Sequence, residues 1–183
     1  MKPTDIAQPD YFHKVVDCQW ACPAHTPVPE YIRLIAQGRY DDAYLVNWKS
    51  NVFPGILGRT CDRPCEPACR RVRVEEGSPE HRKAHAKPEA VAICRLKRAA
   101  ADYKGDIRPH LPKPAAKGNG KRVALVGAGP ASLTVARDLA PHGYQCVVFD
   151  GDPKAGGMMR TQIPKFRLPD RVIDEECGYV LDL

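Results

Sequence analysis

Val-Ala-Leu-Val-Gly-Ala-Gly-Pro-Ala-Ser, residues 123–132, decides the second half of this chain. Val123 to Val126 reads as a buried strand, apolar without alternation. It feeds Gly127-Ala128-Gly129-Pro130-Ala131-Ser132 and then a predicted helix through Leu139. Val147, Val148 and Phe149 form the next predicted strand, which ends at Asp150. Glycines at 127 and 129 let the backbone approach a pyrophosphate at the helix N-terminus, and an acid at the end of the second strand accepts hydrogen bonds from ribose hydroxyls. Ser132 replaces the third glycine of the fingerprint and is small enough for close helix–strand packing. A lone Gly-x-Gly says little. A strand before it, a helix after it and an acid at 150 make a dinucleotide site.

Upstream, Gly105 to Gly120 carries three prolines, three glycines and no apolar periodicity, which reads as a linker. The expected division is therefore residues 1–104, 105–120 and 121–183. The first segment is predicted helical. Pro29 to Gln37 forms a helix with Ile32, Ile35 and Ala36 on one face and Gly38 as its stop; Tyr40 to Trp48 forms a second, entered through Asp41 and Asp42; Ala90 to Tyr103 forms a third. Residues 1–25 read as irregular, 58–71 as a loop whose Pro64 and Pro67 suit a chain wrapping a centre, and 75–89 as an exposed polar loop.

Six of the eight cysteines lie in this helical segment, as Cys18-x3-Cys22, Cys61-x3-Cys65-x3-Cys69 and Cys94. That spacing differs from the Cys-x2-Cys knuckle of structural zinc. An iron–sulfur cubane offers four separated iron corners and tolerates varied spacing, with small neighbours letting backbone amides reach the sulfurs. Zinc and unligated or disulfide cysteines stay open as alternatives on spacing alone. Cys146, in a strand, and Cys177, in a late amphipathic stretch, read as packing cysteines.

Composition bounds the function classes. An apolar fraction of 43% is enough for real cores. Residues 1–10 contain no apolar run, so no signal peptide, no membrane insertion and a cytoplasmic, reducing setting are expected. The net charge of +6 is concentrated between Arg59 and Arg98, where eleven Lys/Arg face six Asp/Glu. The stretch surrounds cysteines and lacks stacking aromatics, so nucleic acid is not the expected partner. Part of it, Arg82, Lys83 and Lys87, also reads as a solvated face. A cluster held by four thiolates is itself negative, and flanking cations offset it.

The motifs carry a family resemblance. Cys18-Gln-Trp-Ala-Cys22-Pro, Gly58-Arg-Thr-Cys61, Cys65-Glu, Cys69-Arg-Arg, Val91-Ala-Ile-Cys94-Arg-Leu-Lys-Arg, Gly127-Ala-Gly-Pro-Ala, Gly156-Gly157-Met158 and Ile163-Pro-Lys-Phe-Arg167-Leu-Pro run in order along nearly the whole chain. Together they resemble the glutamate synthase small (β) subunit and the N-terminal half of dihydropyrimidine dehydrogenase. The resemblance implies an α + α/β chain: a helical ferredoxin-like [4Fe–4S] domain followed by an incomplete Rossmann-like FAD-binding domain. It places FAD on Gly127, Ala128, Gly129, Pro130 and Ala131, on Asp150, on Gly157 with Met158, and on Arg167. It further implies NAD(P)H as hydride donor, through a domain that is missing or supplied by a partner, and other oxidoreductase subunits as partners.

Three departures from the family pattern stand out. Two thiolates expected upstream of Cys18 are replaced by residues such as His13 and Asp17. One site would use Cys22, Cys61 and Cys65 where the pyrimidine enzyme adds a glutamine, and that glutamine aligns near Lys97, one turn after Cys94. A turn apart on a helix is the same face, so Cys94 is the expected substitute fourth ligand, leaving Cys18 and Cys69 to a degenerate second position. The loop between Cys69 and Cys94 is also longer than the pattern. Finally, two strands do not close a doubly wound sheet, so either a longer protein is partly represented or another chain completes the flavin domain; these 183 residues are not expected to oxidise NAD(P)H alone. Two classes follow: an NAD(P)H-linked flavin/iron–sulfur component of an oxidoreductase complex, or a non-catalytic iron–sulfur relay or docking subunit with a vestigial flavin fold.

Overall fold

A computed structural model describes residues 16–73 and 89–183. The expected irregular stretch over 1–15 and the expected loop from 75 to 88 lie outside the described residues. Helix α1 spans Asp17–Ala21, within the segment read as irregular. Helix α2 (Val28–Ala36) carries Pro29 in its first turn, where the missing N–H costs nothing. Its buried face is Val28, Tyr31 and Leu34 rather than the expected Ile32, Ile35 and Ala36. The rotation follows Tyr31, whose ring is fully buried and whose hydroxyl donates to the Ile93 carbonyl at 3.2 Å, leaving Ile32 and Ile35 on the flanks. Gly38, at φ +73°, ends this segment in the conformation glycine adopts most readily. Helix α3 (Tyr40–Ser50) begins with Asp41 and Asp42 against its positive end.

Residues 58–60 are helical, not loop: α4 runs Pro54–Thr60. Proline at the first position presets φ, and the N-terminal amides of this helix find a partner far away in the chain, described below. A short α5 (Arg70–Arg73) follows the cysteine loop. Helix α6 (Ile93–Tyr103) starts three residues later than the pattern suggested. Helices α4 and α6 meet closely at Gly58, where an added Cβ would stand 2.7 Å from the Arg98 Cα. Only a glycine permits that approach.

The second half is a parallel two-stranded sheet, β1 (Arg122–Val126) and β2 (Gln145–Phe149), in register from Arg122↔Gln145 to Val126↔Phe149. Helix α7 (Pro130–Leu139) makes the crossover, and α8 (Met158–Thr161) and α9 (Asp170–Leu181) follow. This is an incomplete Rossmann-like unit. Cys177 packs in its core and Cys146 beside it.

The two halves share one core. Leu125, Leu133, Met159, Leu168, Val172, Ile173, Cys177 and Val180 from the sheet side pack with Val52, Phe53 and Ile56 from the helical side. Residues 105–120 also differ from a free spacer. A 3₁₀ turn at Arg108–His110 buries Ile107 and Leu111 against Tyr44, Trp48 and Tyr179. Two apolar anchors four residues apart do not make a readable period among so many prolines and glycines. Among the described residues, no helix is long and apolar enough to cross a membrane.

Candidate functional site

The first group of interest gathers where α4, the cysteine loop and α6 converge. Cys61 caps the C-terminal end of α4, its N–H bonded to the Leu57 carbonyl. Cys94 lies in the first turn of α6, nearly fully buried, with its sulfur 3.4 Å from the Gly58 carbonyl. The Gly58 crossing brings Cys61 and Cys94 near each other: the neighbouring Cys94 thiol holds Cys61 well below the ordinary thiol range, while Cys94 itself is pushed up. The Arg63 backbone N–H donates to Cys61 Sγ, at 3.3 Å. Burial pushes Cys65 up to about 11, with the Cys61 and Cys22 charges adding to the rise. Cys22 donates to Thr26 Oγ1 at 3.5 Å, and Thr26 is fixed by Ser50 at 3.1 Å and Asn51 at 3.0 Å.

Tyr31 forms the floor of this group. Burial, then the negative charges of Cys65, Cys94, Cys18 and Cys22 in that order, push its phenol far above the ordinary range, and Cys65 and Cys18 pack in the same cluster as the ring. Two charged residues that the sequence reading gave no role complete the surround. The Glu66 carboxylate accepts the Cys94 N–H at 3.0 Å, tying the cysteine loop to the start of α6. Lys97, one turn after Cys94 and only 6% exposed, draws Cys61, Cys65 and Cys94 toward thiolate. Cys18 and Cys69 sit together at one side: burial raises the Cys18 thiol, and the Cys69 charge adds to it. The Arg70–Asp17 ion pair, 2.9 Å, closes that side.

Among the described residues, no three His, Cys, Asp or Glu side chains close around the position of a single metal ion. A tetrahedral zinc would hold each sulfur at about 2.3 Å, whereas a cubane asks for thiolates on separate iron corners. Soft donors arriving from α1, α4, the loop and α6, with a backbone N–H aimed at one sulfur, suit the latter.

The second group is the glycine turn. Gly127 takes φ +90° and donates its N–H to the Phe149 carbonyl at 2.7 Å, closing the end of the sheet. Asp150 accepts the Ala128 N–H on one oxygen and the Asp152 N–H, at 2.7 Å, on the other; these amides hold its carboxyl below the usual carboxylate range. Gly129 caps α7 and Pro130 opens it, so the positive end of a ten-residue helix faces the turn, with Ala131 in its first turn. The Gly156-Gly157 pair folds onto the same turn. Gly156 donates to the Ala128 carbonyl at 2.8 Å, and a Cβ on Gly157 would stand 3.0 Å from the Gly129 Cα. Met158 is exposed beside them while Met159 enters the core.

The groups are joined. Arg167 donates from Nε to the Arg59 carbonyl at 2.9 Å, two residues before Cys61. An open cavity of about 500 Å³ lies between them, lined by Ala24, Leu57 and Thr60 on one side and Pro130, Thr134 and Met159 on the other. Behind it, the fully buried Glu176 of α9 accepts the N–H groups of Gly55 (2.6 Å) and Ile56 (2.9 Å) and the Tyr44 hydroxyl (2.8 Å), capping α4. Nothing in the local sequence around Glu176 signals that partner.

Known proteins match both halves. Residues 11–108 fit the family described as dihydropyrimidine dehydrogenase domain II, 4Fe–4S cluster, and residues 125–178 fit the NAD(P)-binding Rossmann-like domain. The NADP(+)-dependent formate dehydrogenase subunit beta of Moorella thermoacetica is 36% identical over 180 residues, covering 87% of this chain and 24% of that protein. The NADPH-Fe(3+) oxidoreductase subunit beta of Geobacter sulfurreducens is 34% identical, covering 97% of the chain and 25% of that protein. The glutamate synthase [NADPH] small chain of Escherichia coli is 34% identical, with 85% and 31% covered. The chain thus spans about a quarter of the first two relatives and under a third of the last. With its thiol-lined helical half matched over more than half the chain, this protein belongs to the dihydropyrimidine dehydrogenase domain II family of 4Fe–4S proteins, here continued by an NAD(P)-binding Rossmann-like segment.

Proposed function

We propose that the chain is the iron–sulfur and flavin-binding portion of an NAD(P)H-linked oxidoreductase subunit that passes electrons to a partner's catalytic subunit in the cytoplasm. In this reading the iron–sulfur domain occupies residues 1–104 and the flavin-binding segment residues 121–183, with 105–120 between them. Cys22, Cys61, Cys65 and Cys94 hold one [4Fe–4S] cluster, and Cys18 and Cys69 mark a second, incomplete position. FAD would be held by Gly127 to Ala131, by Asp150 through its ribose hydroxyls, by Gly157 with Met158, and by Arg167. NAD(P)H binds on a further domain of the same or a partner chain.

FAD accepts a hydride's two electrons and releases them singly, and an iron–sulfur cluster carries them one at a time. The chain's own residues position these groups. Gly127 and Gly129 let backbone amides approach the pyrophosphate, which α7 faces with its positive end. Arg63 offers an N–H to a cysteine sulfur. The observation that carries the reading is the Arg167–Arg59 contact, because it sets the flavin-side segment directly on the backbone leading into Cys61.

The test is a visible spectrum with iron and flavin analysis of the protein in its native assembly. Flavin bands bleached by NADH or NADPH, with about four irons per chain, are expected. Iron–sulfur absorbance without flavin would leave only the relay class. For the ligand set, Cys94→Ser is expected to lower iron content as far as Cys61→Ser; unchanged iron in the Cys94 variant removes it from the set.

A further inference from the structure

Lys97 is the anomaly of the cysteine group. A lysine is rarely buried without a paired anion, because withdrawing an ammonium from water costs several kcal/mol. Yet Lys97 is 6% exposed and, among the described residues, has no carboxylate or carbonyl partner. Nearby acids are engaged elsewhere: Glu66 receives the Cys94 N–H, and Asp102 takes Arg59 and Arg98. Helix α4, which leads into Cys61, packs on α6 at Gly58, and Lys97 lies on the buried face of α6 with Cys94. The ammonium acts on Cys61, Cys65 and Cys94 together, three thiols from three different segments. Its position three residues after Cys94 puts it on the same face of α6. Arg63, which also acts on Cys94, is 45% exposed and screened by water; Lys97 is not.

A protonated lysine has three N–H donors and no lone pair, so it cannot bind iron. It can only neutralise negative charge and donate to sulfur, and these are two of the features that set the potential of an iron–sulfur centre. We infer that Lys97 is the charge-compensating residue of the iron–sulfur site, whose buried ammonium stabilises the reduced, more negative state and so raises the reduction potential. Reduction adds one electron, delivered from the flavin side or by dithionite in a titration; no bond forms or breaks, and the negative charge that Lys97 faces grows by one. This rests on the assignment of Cys61, Cys65 and Cys94 as ligands.

The test is an EPR-monitored redox titration of the holoprotein beside iron analysis, for wild type, Lys97→Met and Lys97→Arg. In Lys97→Met the ratio of reduced to oxidised centre at a fixed potential is expected to fall at least tenfold, which for a one-electron couple is about 59 mV to lower potential. Lys97→Arg keeps the charge and is expected to stay near wild type. Loss of iron in Lys97→Met with retention in Lys97→Arg also supports the proposal, since charge is then what assembly needs. Full iron and an unmoved potential in Lys97→Met overturn it, as does loss of iron in both variants, which assigns the residue a packing role. A wild-type protein without iron refutes the ligand assignment instead.

Discussion

Replacing Glu176 tests how the two halves of the chain are held together. Its carboxylate is fully buried and serves three donors: the Gly55 and Ile56 amides and the Tyr44 hydroxyl. Glu176→Ala strands all three, at about 1–3 kcal/mol each. Part of this is regained because a buried acid no longer has to be desolvated, so the net loss is about 3–5 kcal/mol. The pH profile is more diagnostic. Burial raises Glu176 from its ordinary 4.5 to about 7, while Gly55, Ile56, Tyr44 and Lys104 limit the rise. The folded chain therefore holds a proton that the unfolded chain releases. The stability contributed by this group is complete below pH 4.5 and is lost as pH rises through about 7, by ~3 kcal/mol in all. Glu176→Gln cannot titrate. Its cost relative to wild type is thus expected to be largest near pH 5 and to shrink by about 3 kcal/mol by pH 8. Urea unfolding followed by circular dichroism at pH 5, 6, 7 and 8 reads this directly. A constant gap between the two proteins across that range would refute the reasoning, and so would a gap that widens with pH.

Two further outcomes follow from glycine positions. Gly58→Ala pushes a methyl group against the α6 backbone at Arg98, so a loss of about 1–3 kcal/mol is expected together with lower iron content, because Cys61 and Cys94 are drawn apart; thermal unfolding and iron analysis measure both. Gly157→Ala places a side chain at φ +48° and 3.0 Å from the Gly129 Cα, so purified protein is expected to lose most of its flavin while keeping its iron; equal flavin in the variant and wild type would remove Gly157 from the nucleotide site.

The glycine turn was legible in the sequence because its determinants are local: a strand, two glycines, a helix and an acid within 30 residues. The cysteine segments were legible for a different reason, since thiols at repeated short spacings point to metal chemistry. What escaped was set by distant partners. Pro54-Gly55 reads locally as a break, and it opens α4 because Glu176, 120 residues later, receives the freed amides. Ile107 and Leu111 are isolated among prolines and glycines, and only Tyr44, Trp48 and Tyr179 make them core. Lys97 reads as a surface residue by its charge, although its place between Cys94 and Ala101 on one face of α6 buries it.

Those distant partners converge on one seven-residue helix. At its start α4 is capped by Glu176 of the Rossmann-like half; along its length Ile56 enters the shared core; at Gly58 it touches α6; at Arg59 its carbonyl receives Arg167; and it ends on Cys61. Helix propensity alone would not sustain so short an element with two glycines. It forms because both halves hold it, and so the position of Cys61 depends on contacts from the nucleotide side. Changes at Glu176 or Arg167, remote in sequence from every cysteine, act on the geometry of the thiol group through this helix. The Rossmann-like half thus sits on the backbone that carries Cys61 through shared packing rather than across a hinge.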